Sequence, residues 1–232
     1  MSDGEDNRSL AGWRNRISRF LGGRVFAGPA GESGAAEGVV RASRTLRPFV
    51  EAMRARPSPV IVDFGPAIGS NVGFLGERLA CKLYPEDLYA DLDQPFARGA
   101  GDAMASVLAR KLRQDAGSVD GVLAWDVFDY ARREEARALS ERLSTVLRPG
   151  GLVMALFTTQ ARDEPASRRY VIVDMEHLRY RPAPGARWER RVWPMRDIEV
   201  LLSPLEVVES HLLAHHQREM LLRQPLAGRK DR

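Results

Sequence analysis

Short apolar runs alternate along this chain with segments of helical character, and each run ends in a polar or glycine-rich turn. The first run, Val60–Asp63, is followed by Gly65 and Gly69 and then by helical sequence from Asn71 to about Leu83. A strand of this composition is buried, and the glycines allow the backbone to turn tightly and to approach a ligand. A strand, a glycine turn and a helix in this order predict the first unit of a nucleotide-binding α/β sheet, with ligand at the carboxyl end of the strand.

Three further apolar runs predict more strands of the same sheet. Residues 86–96 predict a second strand that ends in Asp91, and residues 119–125 predict another that is followed directly by Asp126. The segment Leu147–Phe157 contains a Pro-Gly-Gly turn and then a fully apolar strand. An acid at the end of such a strand is placed to accept hydrogen bonds from ribose hydroxyls or to face a substrate.

Each of these positions also has a plain structural interpretation, and the sequence leaves both open. Gly65 and Gly69 fit a tight strand-to-helix turn that binds nothing. Asp91 fits ordinary turn chemistry at a strand end, and Asp126 fits the cap of the following helix. Trp125 fits the core as well as it fits a platform for an adenine ring.

At these residues the chain resembles the class I S-adenosylmethionine-dependent methyltransferases. The resemblance covers roughly residues 40–225 and rests on four stretches, VDFGPAIGSN, YADLD, VDGVLAWDVFDY and LRPGG. It implies a doubly wound α/β sheet of seven mostly parallel strands with an antiparallel last strand. It also implies that S-adenosylmethionine binds across the first strands.

The resemblance implies a role for each matching residue. The cofactor loop consists of Asp63, Gly65, Pro66, Ala67, Gly69 and Asn71. Asp91 is expected at the ribose and Asp126 between the cofactor and the acceptor, while Asp126 and Tyr130 are the candidate catalytic residues that orient or deprotonate the acceptor. Ala67 stands where the family usually has glycine, and Pro66 lacks a backbone N–H. The alternative hypothesis is therefore a methyltransferase-fold protein that binds or regulates without catalysis.

Composition narrows the class of protein without identifying it. A chain of 232 residues with 44% hydrophobic residues is long enough for one substantial core. Its single cysteine, Cys81, excludes a disulfide framework and fits a reducing compartment. No run approaches the about 20 apolar residues of a membrane span, and the polar start is unlike a secretory signal, so we expect a cytoplasmic protein. The net charge of +4 is too small to indicate nucleic acid by itself.

The predicted domain has an extension at each end. Residues 1–38 predict an N-terminal extension in which a short basic amphipathic helix, Trp13–Phe26, precedes a Gly/Ala linker. That helix fits either an anionic membrane surface or a cap on the sheet. The methyltransferase-like domain is predicted over residues 39–227 and begins with helical sequence at Val39–Ala55. Residues 228–232 form a basic tail.

An insertion at about residues 160–194 follows the last parallel strand. It predicts two short strands, Tyr170–Asp174 and Leu178–Tyr180, and is rich in arginine and aromatic residues. This composition suits binding of anions and rings, and it equally suits a hairpin edge protected by charge. Because the preceding strand delivers the chain to the ligand edge of the sheet, we expect residues 168–193 to border the acceptor side of the pocket. Arg179 and Arg181 are then expected to support binding of an anionic or ring-bearing acceptor, or of a negatively charged partner surface.

The C-terminal segment predicts a helix at Met195–Leu202 and then an antiparallel hairpin over residues 205–225. His211, His215 and His216 match no established metal-ligand motif, so no metal site is expected. A small molecule is the favoured methyl acceptor, with protein and nucleic acid as the alternatives.

Overall fold

The computed structural model of the chain describes residues 38–65, 69–89, 107–160, 168–182 and 190–226, all within one unit that spans Ala36–Arg232. Several predictions concern positions outside the described residues: the helix Trp13–Phe26 and its linker, Pro66, Ala67, Asp91 and the tail 228–232. In the described part of the chain, no helix is long and apolar enough to cross a membrane.

Four helices and nine strands are described in full. In chain order they are β1 (Val39–Ala42), α1 (Leu46–Arg54), β2 (Val60–Asp63), α2 (Gly69–Arg78), β3 (Lys82–Pro85), β4 (Val119–Trp125), α3 (Arg133–Val146), β5 (Leu147–Thr158), β6 (Arg168–Ile172), β7 (His177–Pro182), α4 (Met195–Leu202), β8 (Glu206–Leu213) and β9 (Gln217–Arg223). A 3₁₀ turn, Val127–Tyr130, connects β4 to α3.

The large sheet has the strand order β3-β2-β4-β5-β9-β8. Strands β3, β2, β4 and β5 are parallel, and β9 is antiparallel to both of its neighbours. From β2 the chain moves outward to β3 and then returns to β4 on the other side of β2, so the strand order reverses between β2 and β4. The predicted doubly wound α/β fold with an antiparallel last strand is confirmed, with six strands in the described residues where seven were predicted.

Helices cover both faces of this sheet because the parallel strands are apolar on both sides. Ile61 and Leu123 pack in one cluster with α1 and α2. Val62 and Val122 pack in a second cluster with α3 and α4. Alternate residues of one strand therefore belong to opposite cores, as a three-layer α/β/α arrangement requires.

The prediction of helix over Val39–Ala55 is wrong for its first part. Residues 39–42 form β1, which pairs antiparallel with β7 in a separate sheet of order β1-β7-β6. Helix α1 begins only at Leu46, and Pro48 lies in its first turn, where a helix tolerates a missing backbone N–H. The partner of β1 is distant in sequence, so the residues around positions 39–42 carry no pattern that predicts this pairing.

The second predicted strand is also misplaced. Strand β3 ends at Pro85, six residues before the predicted end at Asp91, and α2 ends at Arg78 rather than near Leu83. After Pro85 the chain turns across the end of β2, because Glu86 N–H donates to the Asp63 carbonyl at 2.7 Å. The Leu88 N–H then donates to the Phe64 carbonyl at 3.0 Å, so these residues follow the end of β2 instead of extending β3.

Candidate functional site

The candidate site lies at the carboxyl ends of β2 and β4, on either side of the point where the strand order reverses. Open α/β sheets bind ligands in the crevice at such a switch point. Asp63 is the last residue of β2, and Asp126 follows the last residue of β4. Both carboxyl groups are buried. Two carboxyl groups are therefore shielded from water at the same edge of the sheet.

Trp125 links the two strand ends. Its indole Nε1–H donates to Asp63 Oδ1 at 2.6 Å, and the Gly65 N–H donates to the same oxygen at 2.8 Å. A Cβ atom on Gly65 would lie 2.8 Å from the indole nitrogen, which is closer than real Cβ contacts allow. Glycine is therefore required at position 65 by Trp125 itself.

The Asp63 carboxyl group is held in an unfavourable environment for charge. Burial raises the pKa of Asp63 from 3.8 to about 6, and the hydrogen bonds from Trp125 and Gly65 limit the rise. Asp87, just beyond β3, raises this pKa further through its own charge. Asp63 therefore titrates in the mildly acidic range.

Gly69 and Asn71 differ from each other although both were predicted to contact the cofactor. A Cβ atom on Gly69 would meet no atom of the described residues within 4 Å. Asn71 is 1% exposed, and its carboxamide bonds the backbone of β6. The structure thus gives Asn71 a role in holding β6, and it leaves the side of Gly69 accessible.

The Asp126 carboxylate receives four donors. The hydroxyl groups of Tyr89 and Tyr170 donate to its Oδ1 at 2.5 Å and its Oδ2 at 2.7 Å, respectively. Arg190 Nη2 donates to Oδ2 at 3.1 Å, and the Tyr130 hydroxyl lies 3.3 Å from the same atom. A carboxylate with this many donors is a fixed anion. Its geometry suits orientation of neighbouring groups better than removal of a proton.

Tyr130 stays a neutral phenol in this setting. Burial raises the pKa of Tyr130 well above its usual value of 10, and the charge of Asp126 raises it further, although Arg190 opposes the rise. Arg190 Nη2 donates to the Tyr130 oxygen at 2.7 Å. With its oxygen accepting from Arg190, Tyr130 keeps its own hydrogen for Asp126 or for a ligand.

Asp129 forms a second buried carboxyl group beside Asp126. Its Oδ2 accepts from the Thr158 N–H at 2.9 Å, and Arg190 Nε lies 3.8 Å away. Burial raises the pKa of Asp129 well above its usual value, and the Asp126 charge adds to this rise.

The backbone at Trp125 is strained. Its φ of +51° lies in the left-handed region, which is an outlier for a bulky side chain and costs about 1–3 kcal/mol. The indole stacks on Tyr170 with ring centroids 5.4 Å apart and an interplanar angle of 4°. This stack and the bond to Asp63 hold the strained conformation in place.

The third strand end at this edge also carries acids. Glu86 and Asp87 follow β3 directly and are half-buried. The acids that directly follow this strand are therefore Glu86 and Asp87, and the role of Asp91 stays a prediction. Their position after Pro85 was the available signal, but the apolar residues beyond them extended the predicted strand too far.

The insertion reaches the site with different side chains from those predicted. Tyr170 of β6 lies opposite Tyr180 of β7, and both face the buried side. Because side chains alternate along a strand, Arg179 and Arg181 point to the opposite face of the small sheet. From this segment Tyr170 and Arg190 reach Asp126, and a role of Arg179 and Arg181 in binding an acceptor or a partner stays a prediction.

The sequence matches no protein-family model and no curated protein. Among solved structures, the chain is similar to the 1,6-didemethyltoxoflavin-N1-methyltransferase of Burkholderia thailandensis, with 17% identity over 94% of this chain and 90% of that one, at a TM-score of 0.43. It is also similar to a S-adenosylmethionine-dependent methyltransferase of Mesorhizobium loti (12% identity, 76% and 96% covered, TM-score 0.43). The [4+2]-cyclase SpnF is a further similar structure (11% identity, 79% and 82% covered, TM-score 0.45). The order and direction of the strands establish the fold independently.

Proposed function

We propose that the protein binds S-adenosylmethionine at the switch point and transfers its methyl group to a small-molecule acceptor. The observation that carries this proposal is the meeting of acids at the ends of β2, β3 and β4 around an open approach at Gly69. A doubly wound sheet binds nucleotide-like ligands at this place. The sequence resemblance to class I methyltransferases then identifies the ligand.

The residues present fit such a cofactor. The open space beside Gly69 accommodates the methionine end, because no side chain of the described residues would meet a group placed there. Glu86 and Asp87 follow the strand next to β2, where a carboxylate accepts hydrogen bonds from ribose hydroxyls. We assign the ribose contact to one of these two acids rather than to Asp91.

When bound, the cofactor supplies a methyl group on a positively charged sulfur, and the protein supplies position. Transfer in line needs the acceptor at near-attack distance, which is chiefly a matter of orientation. Tyr130 and Tyr170 are neutral hydrogen-bonding groups around the fixed Asp126 anion. In this proposal they orient the acceptor, and no side chain of this cluster removes its proton.

The test is a calorimetric titration with S-adenosylhomocysteine, the demethylated product of the cofactor. Loss of a charged hydrogen-bond partner removes about 1.5–3 kcal/mol, so Glu86→Ala or Asp87→Ala should weaken binding roughly tenfold or more. Asp91→Ala should have a smaller effect. Glu134→Ala, on the exposed side of α3, is the matched control and should leave affinity unchanged. No binding to the wild-type protein would overturn the proposal.

A binding or regulatory protein without catalysis is the second candidate. It is favoured by one observation, since the hydrogen-bonding groups around Asp126 are satisfied by one another rather than left for an acceptor. Incubation with methyl-labelled cofactor and a pool of small metabolites separates the two candidates. Labelled product supports transfer, whereas tight cofactor binding without any labelled product supports the non-catalytic protein.

A further inference from the structure

Strand β8 forms an open edge of the large sheet. It is the last strand in the order β3-β2-β4-β5-β9-β8, so one side of its backbone has no strand partner among the described residues. An edge strand presents unpaired N–H and C=O groups that can pair with a strand of another chain. The edge is eight residues long, from Glu206 to Leu213.

The two edges of the large sheet differ in how they are protected. Strand β3, at the other edge, has only four residues, begins at Lys82 and ends at Pro85. Short length, lysine and proline are devices that keep an edge strand from pairing. Strand β8 contains neither lysine nor proline, and its Val208 and Leu212 are 41% and 64% exposed. The sheet is therefore open to extension at β8 rather than at β3.

The side chains of β8 alternate between the two faces of the sheet. Ser210 pairs with Met220, which belongs to the core under α3 and α4, so Ser210 and Leu212 lie on that face. Glu209 and His211 lie on the other face, where His211 Nε2 is 3.0 Å from Glu209 Oε2. One face of this edge thus presents apolar groups, and the other presents a carboxylate and an imidazole two residues apart.

Only one register of two antiparallel copies of β8 matches both faces. Residues opposite each other in a sheet share a face, so the two-fold axis between the copies passes between a residue and its own copy. With Ser210 at the axis, Glu209 lies opposite His211 of the second copy, and Val208 lies opposite Leu212 of the second copy. With Glu209 at the axis, two carboxylates would lie opposite each other, and with His211 at the axis, Leu212 would lie opposite Ser210. Apolar pairs and pairs of opposite polarity stabilise such a ladder, whereas like charges destabilise it.

We propose that β8 is the interface of a two-fold symmetric dimer, in which it pairs antiparallel with β8 of a second copy of this chain around Ser210. The two large sheets then join into one continuous sheet. Each contact occurs twice, once on either side of the axis, as an interface of this symmetry requires. A bulge between Val207 and Glu209 limits the regular pairing to residues 208–212. The pairing uses no residue of the proposed cofactor site, so it can be tested separately from the proposed function.

Disulfide cross-linking tests the register. Residues opposite each other in an antiparallel pair have Cα atoms about 4.5–5.5 Å apart, within the range of a disulfide bond. Ser210→Cys should therefore form a cross-linked dimer on mild oxidation, in a Cys81→Ser background that removes the native thiol. Glu209→Cys in the same background is the matched control. Its two copies are offset along the strands by two residues, about 7 Å, which places them beyond disulfide reach.

Sedimentation equilibrium of mixed variants tests the polar pairs. Glu209→His places imidazole opposite imidazole, and His211→Glu places carboxylate opposite carboxylate. Each variant alone should raise the dissociation constant of the dimer about fivefold or more. An equimolar mixture of the two should dimerise as well as wild type, because each carboxylate then lies opposite an imidazole of the other chain. Both variants lack the bond between residues 209 and 211 within one chain, so that bond cannot account for the recovery.

A third variant tests the apolar face. Leu212→Lys should abolish the dimer, because a lysine on an edge strand prevents pairing. Val200→Lys changes an apolar residue of α4 that is 69% exposed, and this matched control should stay dimeric.

A wild-type protein that is monomeric at every concentration overturns the proposal. A dimer in which Glu209→Cys cross-links as readily as Ser210→Cys overturns it as well, and so does a dimer that Leu212→Lys and both variants of the polar pair leave unchanged, because such a dimer uses another surface.

Discussion

Two buried aspartates at opposite ends of β4 differ in how the protein holds them. Asp120, near the amino end, accepts from Arg56 Nη1 at 2.7 Å and from the Val60 N–H at 2.8 Å, and Arg148 lies at 3.2 Å. These partners belong to the sheet or lie beside it. Asp126, at the carboxyl end, is held by side chains from four separate segments of the chain. Asp120 at the amino end is held by arginines and a backbone N–H, whereas Asp126 at the carboxyl end is held by three tyrosines and one arginine.

The carboxyl end of the sheet also carries two buried carboxyl groups with raised pKa values and a bulky residue with a left-handed backbone. Burial raises the pKa values of Asp63 and Asp129, and Trp125 has a strained backbone. Strain and perturbed carboxyl groups collect at functional sites, where the rest of the fold compensates for them. The amino end of the sheet therefore serves stability, and the carboxyl end is arranged for binding.

The largest expected effect is on stability, at the amino end. Asp120→Ala leaves the Val60 N–H unpaired and removes the partner of Arg56, and we expect it to lower the free energy of unfolding by about 3–4 kcal/mol. Urea denaturation measures this change. Asp115→Ala, at an exposed position before β4, should change stability by less than about 0.5 kcal/mol. If Asp120→Ala changes the free energy of unfolding only slightly, the amino end of the sheet does not have the stabilising role assigned to it here.

Asp63→Asn should have the opposite effect on stability, with a defined pH dependence. The pKa of Asp63 in the folded protein, about 6, exceeds its ordinary value of 3.8, so its protonated form adds stability below about pH 4. That stability is lost as the pH rises through 6. The variant keeps an acceptor for Trp125 without the charge, and should be more stable than wild type by up to about 3 kcal/mol at pH 7.

Thermal or urea unfolding at several pH values checks this sign. The difference between Asp63→Asn and wild type should grow from pH 4 to about pH 7 and then stay constant. A variant that is less stable than wild type at pH 7 would show that the Asp63 carboxylate is stabilised in the fold.

Asp126→Asn should act on the tyrosines around it. The Asp126 charge contributes to the raised pKa values of Tyr89, Tyr130 and Tyr170, after burial. The variant should therefore lower the pH at which tyrosinate absorbance appears, and should reduce stability by about 2 kcal/mol because Arg190 loses a charged partner. An unchanged alkaline titration would contradict the cluster geometry. Asp120→Asn is the matched control for this titration.

The smallest expected effect distinguishes Gly69 from Gly73, which both lie in α2. Gly69→Val and Gly73→Val both place a side chain in open space, so neither should clash within the protein. Only Gly69 borders the proposed cofactor site, and its variant should lose roughly tenfold in affinity for S-adenosylhomocysteine, about 1.4 kcal/mol. Calorimetry measures both affinities. Equal affinities of the two variants would show that Gly69 does not border the cofactor site.

The parts of the fold that were predictable from the sequence have local signals. The apolar run of β4 ends at Asp126, and the segment after Met195 contains α4 and the β8–β9 hairpin as predicted. Strand β1 was missed because its pairing with β7 is distant in sequence. The end of β3 was missed because Leu88 and Tyr89 continue an apolar pattern after the chain has already turned.

The candidate site was only partly predictable for the same reason. Asp63 ends β2, Gly65 lies two residues beyond it and Asp126 comes directly after β4, and all three lie at the switch point. Tyr170 and Arg190 come from an insertion whose composition was noted, but no sequence pattern indicates which of its side chains face inward. Their convergence on Asp126 is a product of the tertiary fold.

A crystal structure with S-adenosylhomocysteine bound tests the central claim most directly. We predict ligand density over the carboxyl ends of β2 and β4, with the ribose hydroxyls on Glu86 or Asp87 and the amino-acid end beside Gly69. Tyr170 should remain stacked on Trp125. Density for the ligand at any other place on the protein, with this crevice left unchanged, would contradict the account.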